Sequence, residues 1–127
     1  MVHSKNDKLK RESGSNFMPK FDEKGLLTAV VIDGKSRSVL MVAFMDKEAL
    51  AATRATGLAH FHSRSRNRLW CKGESSGNVL KVEAIAVDCD QDALVLTCSP
   101  AGPTCHTGSN SCFYRQLEGQ DLIPLSN

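Results

Sequence analysis

The sequence predicts an α+β fold, in which one or two short helices accompany a mostly antiparallel β-sheet. Three observations support this prediction: about six short β-rich runs, turn residues close to the ends of these runs, and one clear helical segment. No internal repeat is present. The 127 residues suffice for one domain with its own core, and the apolar content of 41% is ordinary for a globular chain.

The first predicted elements are a hairpin and a helix. Residues 26–32 and 39–44 are apolar and β-rich, and the Asp33-Gly34 pair between them is typical of a hairpin turn. Asp46 is a candidate N-cap for a helix over residues 47–55, because its carboxylate can accept a hydrogen bond from a free amide of the first turn. The glycine at position 57 is expected to end that helix.

Four further strands are predicted at residues 59–63, 69–72, 80–87 and 93–98, with polar turns between members of each pair. A loop rich in Gly and Pro then leads to Cys105 and His106. At the other end, residues 1–17 are polar and lack apolar periodicity. They predict a disordered basic tail, followed by a single domain over residues 18–127.

The charge distribution and the cysteine count limit the class of protein. The formal net charge is +2, and residues 1–20 carry five Lys or Arg against two acidic residues, so the remaining chain is close to neutral. This balance offers no global argument for nucleic-acid binding. With no apolar run near the ~20 residues of a membrane span and no signal-like segment, we expect a cytoplasmic protein without membrane contact. Five cysteines in a reducing compartment favour metal or catalytic roles over disulfides.

The pentapeptide DCDQD at residues 88–92 alternates carboxylates with a thiol. Carboxylates suit magnesium-like ions, whereas thiolates and imidazoles suit zinc-like ions, so this segment predicts two different metals. On an extended backbone Asp88, Asp90 and Asp92 would share one face and Cys89 would point to the other.

An EF-hand interpretation of the same segment fails. The sixth and twelfth positions of such a loop need Gly and Glu, but Ala93 and Ser99 stand there. Three aspartates at alternate positions repel one another unless a cation neutralises them. The alternative to a magnesium site is a solvated acidic turn.

Three thiols could form a zinc site. Cys89, Cys105 and Cys112 have the spacing C-x15-C-x6-C, and three thiolates with an open fourth position would suit a hydrolytic site. The alternative is that these cysteines are small buried apolar residues, which is the interpretation we favour for Cys71 and Cys98 in their apolar strands. His106, next to a candidate thiol ligand, could either bind metal or act as a general base.

A basic stripe occupies even positions of the segment 60–68. It consists of His60, His62, Arg64, Arg66 and Arg68, which would share one face of an extended chain. Arginine binds phosphate oxygens bidentately, so the stripe could hold the phosphates of a small substrate. The alternatives are an exposed basic face and an RNA contact. The polar surface continues through Lys72, Glu74 and Ser76.

Together these motifs resemble the phosphoribosyl-AMP cyclohydrolase family over residues 20–115. The resemblance depends on the segments HFHSRSRNRLWCKGESSG at residues 60–77, DCDQD at 88–92 and GPTCHTGSNSCF at 102–113. The helix entry FMDKEAL at residues 44–50 is also similar, although Asp46 replaces a more usual Asn. His62 stands where an aromatic residue is commoner, and neither departure touches an expected ligand.

The resemblance implies an enzyme of histidine biosynthesis that opens the adenine ring of phosphoribosyl-AMP, with zinc-activated water attacking C6 and the N1–C6 bond breaking. It implies an intertwined homodimer with one zinc per subunit shared across the dimer, bound by Cys89 of one subunit and by Cys105 and Cys112 of the other. Asp88, Asp90 and Asp92 correspond to magnesium ligands. Since the chain ends at Asn127, a fused pyrophosphatase domain has no room, and a monofunctional form is expected.

Within this framework His106 is the candidate proton-transfer group. The candidate substrate-binding residues are Arg64, Arg66, Lys72, Glu74 and Ser76.

Two other classes of protein use similar residues. A zinc nucleobase deaminase needs H-x-E and P-C-x-x-C signatures, and the sequence contains neither. A non-catalytic zinc-dependent RNA-binding or interaction module would use the face formed by Arg64, Arg66 and Arg68. It predicts a salt-dependent affinity for nucleic acid and gives the three aspartates no role.

Overall fold

The computed structural model describes residues 5–125 and has an α+β architecture, which confirms the predicted fold class. Its two helices and eight strands are, in chain order, α1 (Lys5–Ser13), β1 (Leu27–Asp33), β2 (Val39–Met45), α2 (Lys47–Thr56), β3 (His60–Ser63), β4 (Arg68–Cys71), β5 (Leu80–Val87), β6 (Ala93–Pro100), β7 (Arg115–Glu118) and β8 (Asp121–Pro124). No helix in this part of the chain is long and apolar enough to cross a membrane.

The main sheet has four strands in the order β2-β1-β6-β5. The β1–β2 and β5–β6 pairs are antiparallel, as predicted, but β1 and β6 pair in parallel. The sheet is thus two hairpins joined along their inner strands. The β3–β4 and β7–β8 pairs form two further antiparallel sheets of two strands each.

One face of the main sheet forms the core. Alternate residues of β1 and β6 are buried, as the period of two along a strand requires, and α2 contributes Ala49 and Leu50 to the same cluster. The β3–β4 hairpin adds Phe61, whose ring lies 5.6 Å from that of Trp70.

Helix α2 begins and ends where its capping residues predict. Asp46 Oδ1 accepts a hydrogen bond of 2.8 Å from the Ala49 amide, which would otherwise lack a partner in the first turn. Gly57 has a φ of 76°, and its amide donates to the Thr53 carbonyl at the C-terminus. Capping residues are therefore sufficient to locate this helix from sequence.

The first residues of the chain differ from the predicted disordered tail. Residues 5–13 form α1, and Arg11 is buried, with its Nε donating a hydrogen bond of 2.9 Å to the Met18 carbonyl. Residues 1–4 of the predicted tail lie outside the described residues. The segment has few apolar residues for a docking face, so composition does not reveal that its backbone finds partners on another part of the chain.

The β7–β8 hairpin was not among the predicted strands. A two-residue turn with Gly119 at a φ of 61° connects its strands, and its residues are exposed. Glycine tolerates this left-handed conformation, so Gly119 between two short runs is the sequence feature from which the turn could have been predicted.

Candidate metal centres and active site

The three carboxylates of the pentapeptide lie together. Asp88, Asp90 and Asp92 each offer an oxygen within 4.8 Å of the other two, in the connection between β5 and β6. The extended geometry expected from alternation is wrong, because residues 89–92 form a turn in which Gln91 has a φ of 60°. The turn, rather than one face of a strand, brings the carboxylates together.

Asp88 stabilises this turn through one of its two carboxylate oxygens. Its Oδ1 accepts hydrogen bonds from the backbone amides of Asp92 (3.0 Å) and Ala93 (3.1 Å). Burial acts to raise the pKa of Asp88, but hydrogen bonds with the Ala93 amide and with the carboxyl groups of Asp92 and Asp90 lower it on balance. Because both backbone amides bind Oδ1, the other carboxylate oxygen of Asp88, Oδ2, is the candidate metal ligand.

The pKa of Asp92 shifts in the opposite direction to that of Asp88. Hydrogen bonding with the carboxylate of Asp88, and then with that of Asp90, raises the pKa of Asp92 to about 6. Like charges this close disfavour simultaneous ionisation, and a bound cation would remove that cost. The donor set and its mutual repulsion therefore fit a hard divalent ion such as magnesium.

Two of the three candidate zinc thiols also lie together. The side chains of Cys105 and Cys112 are close enough for each to shift the pKa of the other, and Thr107 Oγ1 donates to Cys105 Sγ at 3.1 Å. Hydrogen bonds from the side chain and then the backbone of Thr107 lower the pKa of Cys105. Burial, followed by the neighbouring Cys105, raises that of the Cys112 thiol. Thr107 was missed in the sequence; its only clue is its position two residues after a candidate ligand.

The loop that carries these thiols is attached to the edge strand β2. The Cys112 amide donates to the Leu40 carbonyl at 2.8 Å, and Ser111 Oγ donates to the Val39 carbonyl at 2.6 Å. Within the loop, the Cys105 amide donates to the Ser109 carbonyl. The thiol pair is thus held by backbone hydrogen bonds on both sides, which suits a preorganised ligand set.

Cys89 lies apart from this thiol pair. Among residues 5–125, the three aspartates are the only group of three or more His, Cys, Asp or Glu side chains whose ligand atoms all lie within 4.8 Å of one another. Cys89 is exposed and lines a cleft together with Phe17 and Arg54. A single chain therefore does not bring Cys89, Cys105 and Cys112 into one cluster.

The two remaining cysteines have the character of neutral thiols. Burial, with a smaller contribution from Glu83, raises the pKa of Cys98 to about 12. Burial and the charge of Glu74 raise that of Cys71 as well, so its pKa also lies above the ordinary value. Thiolates rather than thiols bind metal, so this agrees with a structural role for both residues.

The predicted basic stripe does not form one face. Residues 64–67 make a turn between β3 and β4, and the side chains contact different partners. The guanidinium of Arg64 lies 4.0 Å from the centre of the Phe44 ring, whereas Arg68 pairs with Glu74 at 3.5 Å. The hairpin turn interrupts the extended conformation that alternation requires, and this removes the geometric argument for an RNA-binding face.

His62, another residue of the predicted stripe, contacts the helix cap instead: its Nδ1 lies 3.2 Å from Asp46 Oδ2. Asp46 and His62, the two residues that depart from the family pattern, thus contact each other.

The other candidate substrate-binding residues are distributed around the thiol loop and the β3–β4 hairpin. The charge of Lys72 acts to lower the pKa of both thiols, but it is a minor contribution: Thr107 dominates at Cys105, and burial still raises the pKa of Cys112 on balance. The Lys72 ammonium also lies 5.7 Å from the Trp70 ring. Arg66 and Ser76 are exposed, as is His106 beside Cys105. The positive charge of Lys72 therefore influences the thiols, which spacing alone did not predict.

A small α+β domain that presents a thiol pair, a separate exposed thiol and a carboxylate cluster has the donor sets that metal-dependent hydrolases use. The family model described as phosphoribosyl-AMP cyclohydrolase matches residues 41–114, a range that contains both the thiol pair and the carboxylate cluster.

Relatives named phosphoribosyl-AMP cyclohydrolase match most of the chain. The protein from Erythrobacter litoralis is 63% identical over 108 residues, which cover 85% of this chain and 86% of the relative. Those from Rhizorhabdus wittichii and Sinorhizobium medicae are 60% and 59% identical, covering 85% and 91% of this chain and 87% and 80% of the relatives. The chain belongs to the phosphoribosyl-AMP cyclohydrolase family.

Proposed function

We propose that this chain is a phosphoribosyl-AMP cyclohydrolase, which adds water across the N1–C6 bond of the adenine ring of phosphoribosyl-AMP in histidine biosynthesis. Family membership carries the proposal, since the matched residues 41–114 contain every candidate metal ligand. N1-substituted adenine has cationic character, so C6 is an electrophile that a hydrolase can exploit. We expect the enzyme to act in the cytoplasm.

The zinc site is proposed to form between two subunits of a homodimer. Cys105 and Cys112 of one subunit would supply two thiolates, and an exposed Cys89 of the other would supply the third. The lowered pKa of Cys105 and the separation of Cys89 from the thiol pair in one chain support this arrangement. Zinc bound there would supply a water whose pKa is about 7 and hence a nucleophile at neutral pH.

The magnesium site is proposed at Asp88, Asp90 and Asp92. Hydrogen bonds from two backbone amides to Asp88 Oδ1 hold the first carboxylate in place, while the mutual repulsion of the cluster favours a cation. A magnesium ion there would bind a phosphate oxygen of the substrate.

The substrate is proposed to be held by the cations around the β3–β4 hairpin. Arg64 and Arg66 in the hairpin turn, together with Lys72, would neutralise the two phosphate groups. Glu74 and Ser76 follow on the same exposed surface and would offer hydrogen bonds to the ribose and phosphate ends. His106 is exposed beside Cys105, where it would transfer a proton during ring opening.

Turnover of phosphoribosyl-AMP tests the function directly. The purified protein is incubated with substrate, and the absorbance change of ring opening is followed with and without a zinc chelator. We expect metal-dependent turnover, and its absence in the metal-loaded protein would refute the enzymatic function. Salt-dependent RNA binding without turnover would instead favour the interaction module.

A matched pair of variants tests the zinc ligands. Cys105→Ser should lose both activity and stoichiometric zinc, because a hydroxyl is a poor substitute for a thiolate. Cys71→Ser should retain most of both, since burial keeps Cys71 a neutral thiol. Full zinc content in Cys105→Ser, measured by atomic emission, would exclude this residue as a ligand.

A further inference from the structure

Gln91 is a buried polar residue between two of the candidate magnesium ligands. Only 7% of its surface is exposed, and its backbone has a left-handed φ of 60°. We propose that Gln91 is a positioning residue that couples the N-terminal segment, residues 11–20, to the carboxylate cluster, so that docking of this segment strengthens divalent-cation binding. The inference rests on the proposed magnesium role of the cluster.

The side chain of Gln91 reaches the N-terminal segment with both of its polar atoms. Its Nε2 donates hydrogen bonds to the carbonyls of Arg11 (2.8 Å) and Asn16 (3.2 Å). Its Oε1 accepts one of 2.6 Å from the Met18 amide. The backbone carbonyl of Gln91 accepts a fourth from the Lys20 amide at 2.7 Å. Four hydrogen bonds of this one residue therefore attach the N-terminal segment to the turn that carries the carboxylates.

The same residue determines the shape of the carboxylate turn. The Gln91 amide donates to the Asp88 carbonyl at 3.1 Å, and the following amides of Asp92 and Ala93 donate to Asp88 Oδ1. A left-handed conformation is unfavourable for a residue with a side chain, so it needs compensating contacts. The four hydrogen bonds to the N-terminal segment provide them, and they thereby fix the direction in which Asp90 and Asp92 leave the turn.

Thermodynamic linkage distinguishes this coupling from simple attachment of the segment. If docking of residues 11–20 strengthens cation binding, then cation binding must strengthen docking by the same factor. Partners that hold metal ligands in place commonly change metal affinity by about 10- to 100-fold when removed. A segment that was merely attached would leave cation affinity unchanged.

The first experiment measures Mn²⁺ affinity by electron paramagnetic resonance in the full-length, zinc-loaded protein. Gln91→Gly permits the positive φ but removes all three side-chain hydrogen bonds, and we expect it to weaken Mn²⁺ binding about tenfold. Arg37→Gly is the matched control, because Arg37 is an exposed residue at a φ of 65° in the β1–β2 turn. An unchanged affinity in Gln91→Gly would overturn the coupling.

A second variant perturbs the segment from outside the turn. Arg11→Met removes the hydrogen bond to the Met18 carbonyl and a positive charge that lines the same cleft as Asp88. Loss of that charge alone would tighten cation binding, whereas loss of docking weakens it. We expect weaker Mn²⁺ binding, and equal or tighter binding would count against the coupling.

Amide hydrogen exchange in the wild-type protein provides a test that needs no variant. Saturating Mg²⁺ should slow exchange at the Met18 and Lys20 amides, since docking and cation binding are reciprocal. In Gln91→Gly the Met18 amide should exchange faster, because its acceptor is the deleted side chain. Exchange that is insensitive to Mg²⁺ would overturn the proposal.

Asp90→Asn separates this proposal from the function on which it rests. If Asp90→Asn binds Mn²⁺ as tightly as the wild type, the magnesium assignment fails and the coupling fails with it. If Asp90→Asn weakens binding but Gln91→Gly and Arg11→Met do not, only the coupling is refuted.

Discussion

The separation of Cys89 from the Cys105–Cys112 pair predicts that two inactive variants restore each other's activity. Cys89→Ser removes one half of the proposed intersubunit site, and Cys105→Ser removes the other half. In a mixed dimer, the Cys105→Ser chain still offers Cys89 while the Cys89→Ser chain still offers Cys105 and Cys112. One complete site is thereby reassembled per mixed dimer, and the second site lacks Cys89 and Cys105 and keeps only Cys112.

The expected recovery follows from this geometry. When equal amounts of the two variants exchange subunits at random, about half of the dimers are mixed, and each has one functional site of two. Activity and bound zinc should therefore return to about one quarter of the wild-type level. If all three thiols of a site came from one chain, every mixed dimer would have two defective sites and recovery would be zero.

The assay is co-refolding of the two variants in the presence of zinc, followed by turnover of phosphoribosyl-AMP. Cys105→Ser mixed with Cys112→Ser is the control, since both substitutions damage the same half of the site and no combination completes it. Recovery in this control equal to that of the test pair, or no recovery in the test pair despite mixed dimers on a two-tag pulldown, would refute the intersubunit site.

Three further predictions concern pH, stability and substrate binding. In the metal-free protein the raised pKa of Asp92, about 6, gives a stabilising contribution below pH ~4 that is lost as pH rises through about 6. The melting temperature should fall over this range, less so in Asp90→Asn, and scanning fluorimetry measures it. Asp46→Ala should cost about 1 kcal/mol of unfolding free energy in urea by removing the helix cap, whereas Asp46→Asn keeps the acceptor and most of the stability. Arg64→Ala should raise KM for phosphoribosyl-AMP about tenfold with little change in kcat if Arg64 binds phosphate; a fall in kcat alone would contradict this role.

Local sequence patterns predicted the elements whose determinants lie within a few residues. The Asp46 and Gly57 caps located α2, and the Asp-Gly turn located the β1–β2 hairpin. The parallel pairing of β1 with β6 had no such pattern, because it joins residues about 65 positions apart along the chain through packing of two hairpins. The prediction that Arg64, Arg66 and Arg68 share one face was wrong for a related reason. Alternation places side chains on one face only where the backbone stays extended, and residues 64–67 form a turn.

The sequence by itself determined which donor atoms this protein carries, their spacing and the family to which those spacings point. Only the tertiary structure decided which donors meet. A turn with a left-handed Gln91 groups the three aspartates, the loop held on β2 pairs Cys105 with Cys112, and Cys89 is kept apart from that pair. Caps and turns depend on short-range hydrogen bonds that a local pattern records, whereas the docking of residues 11–20 on Gln91 depends on contacts between distant parts of the chain.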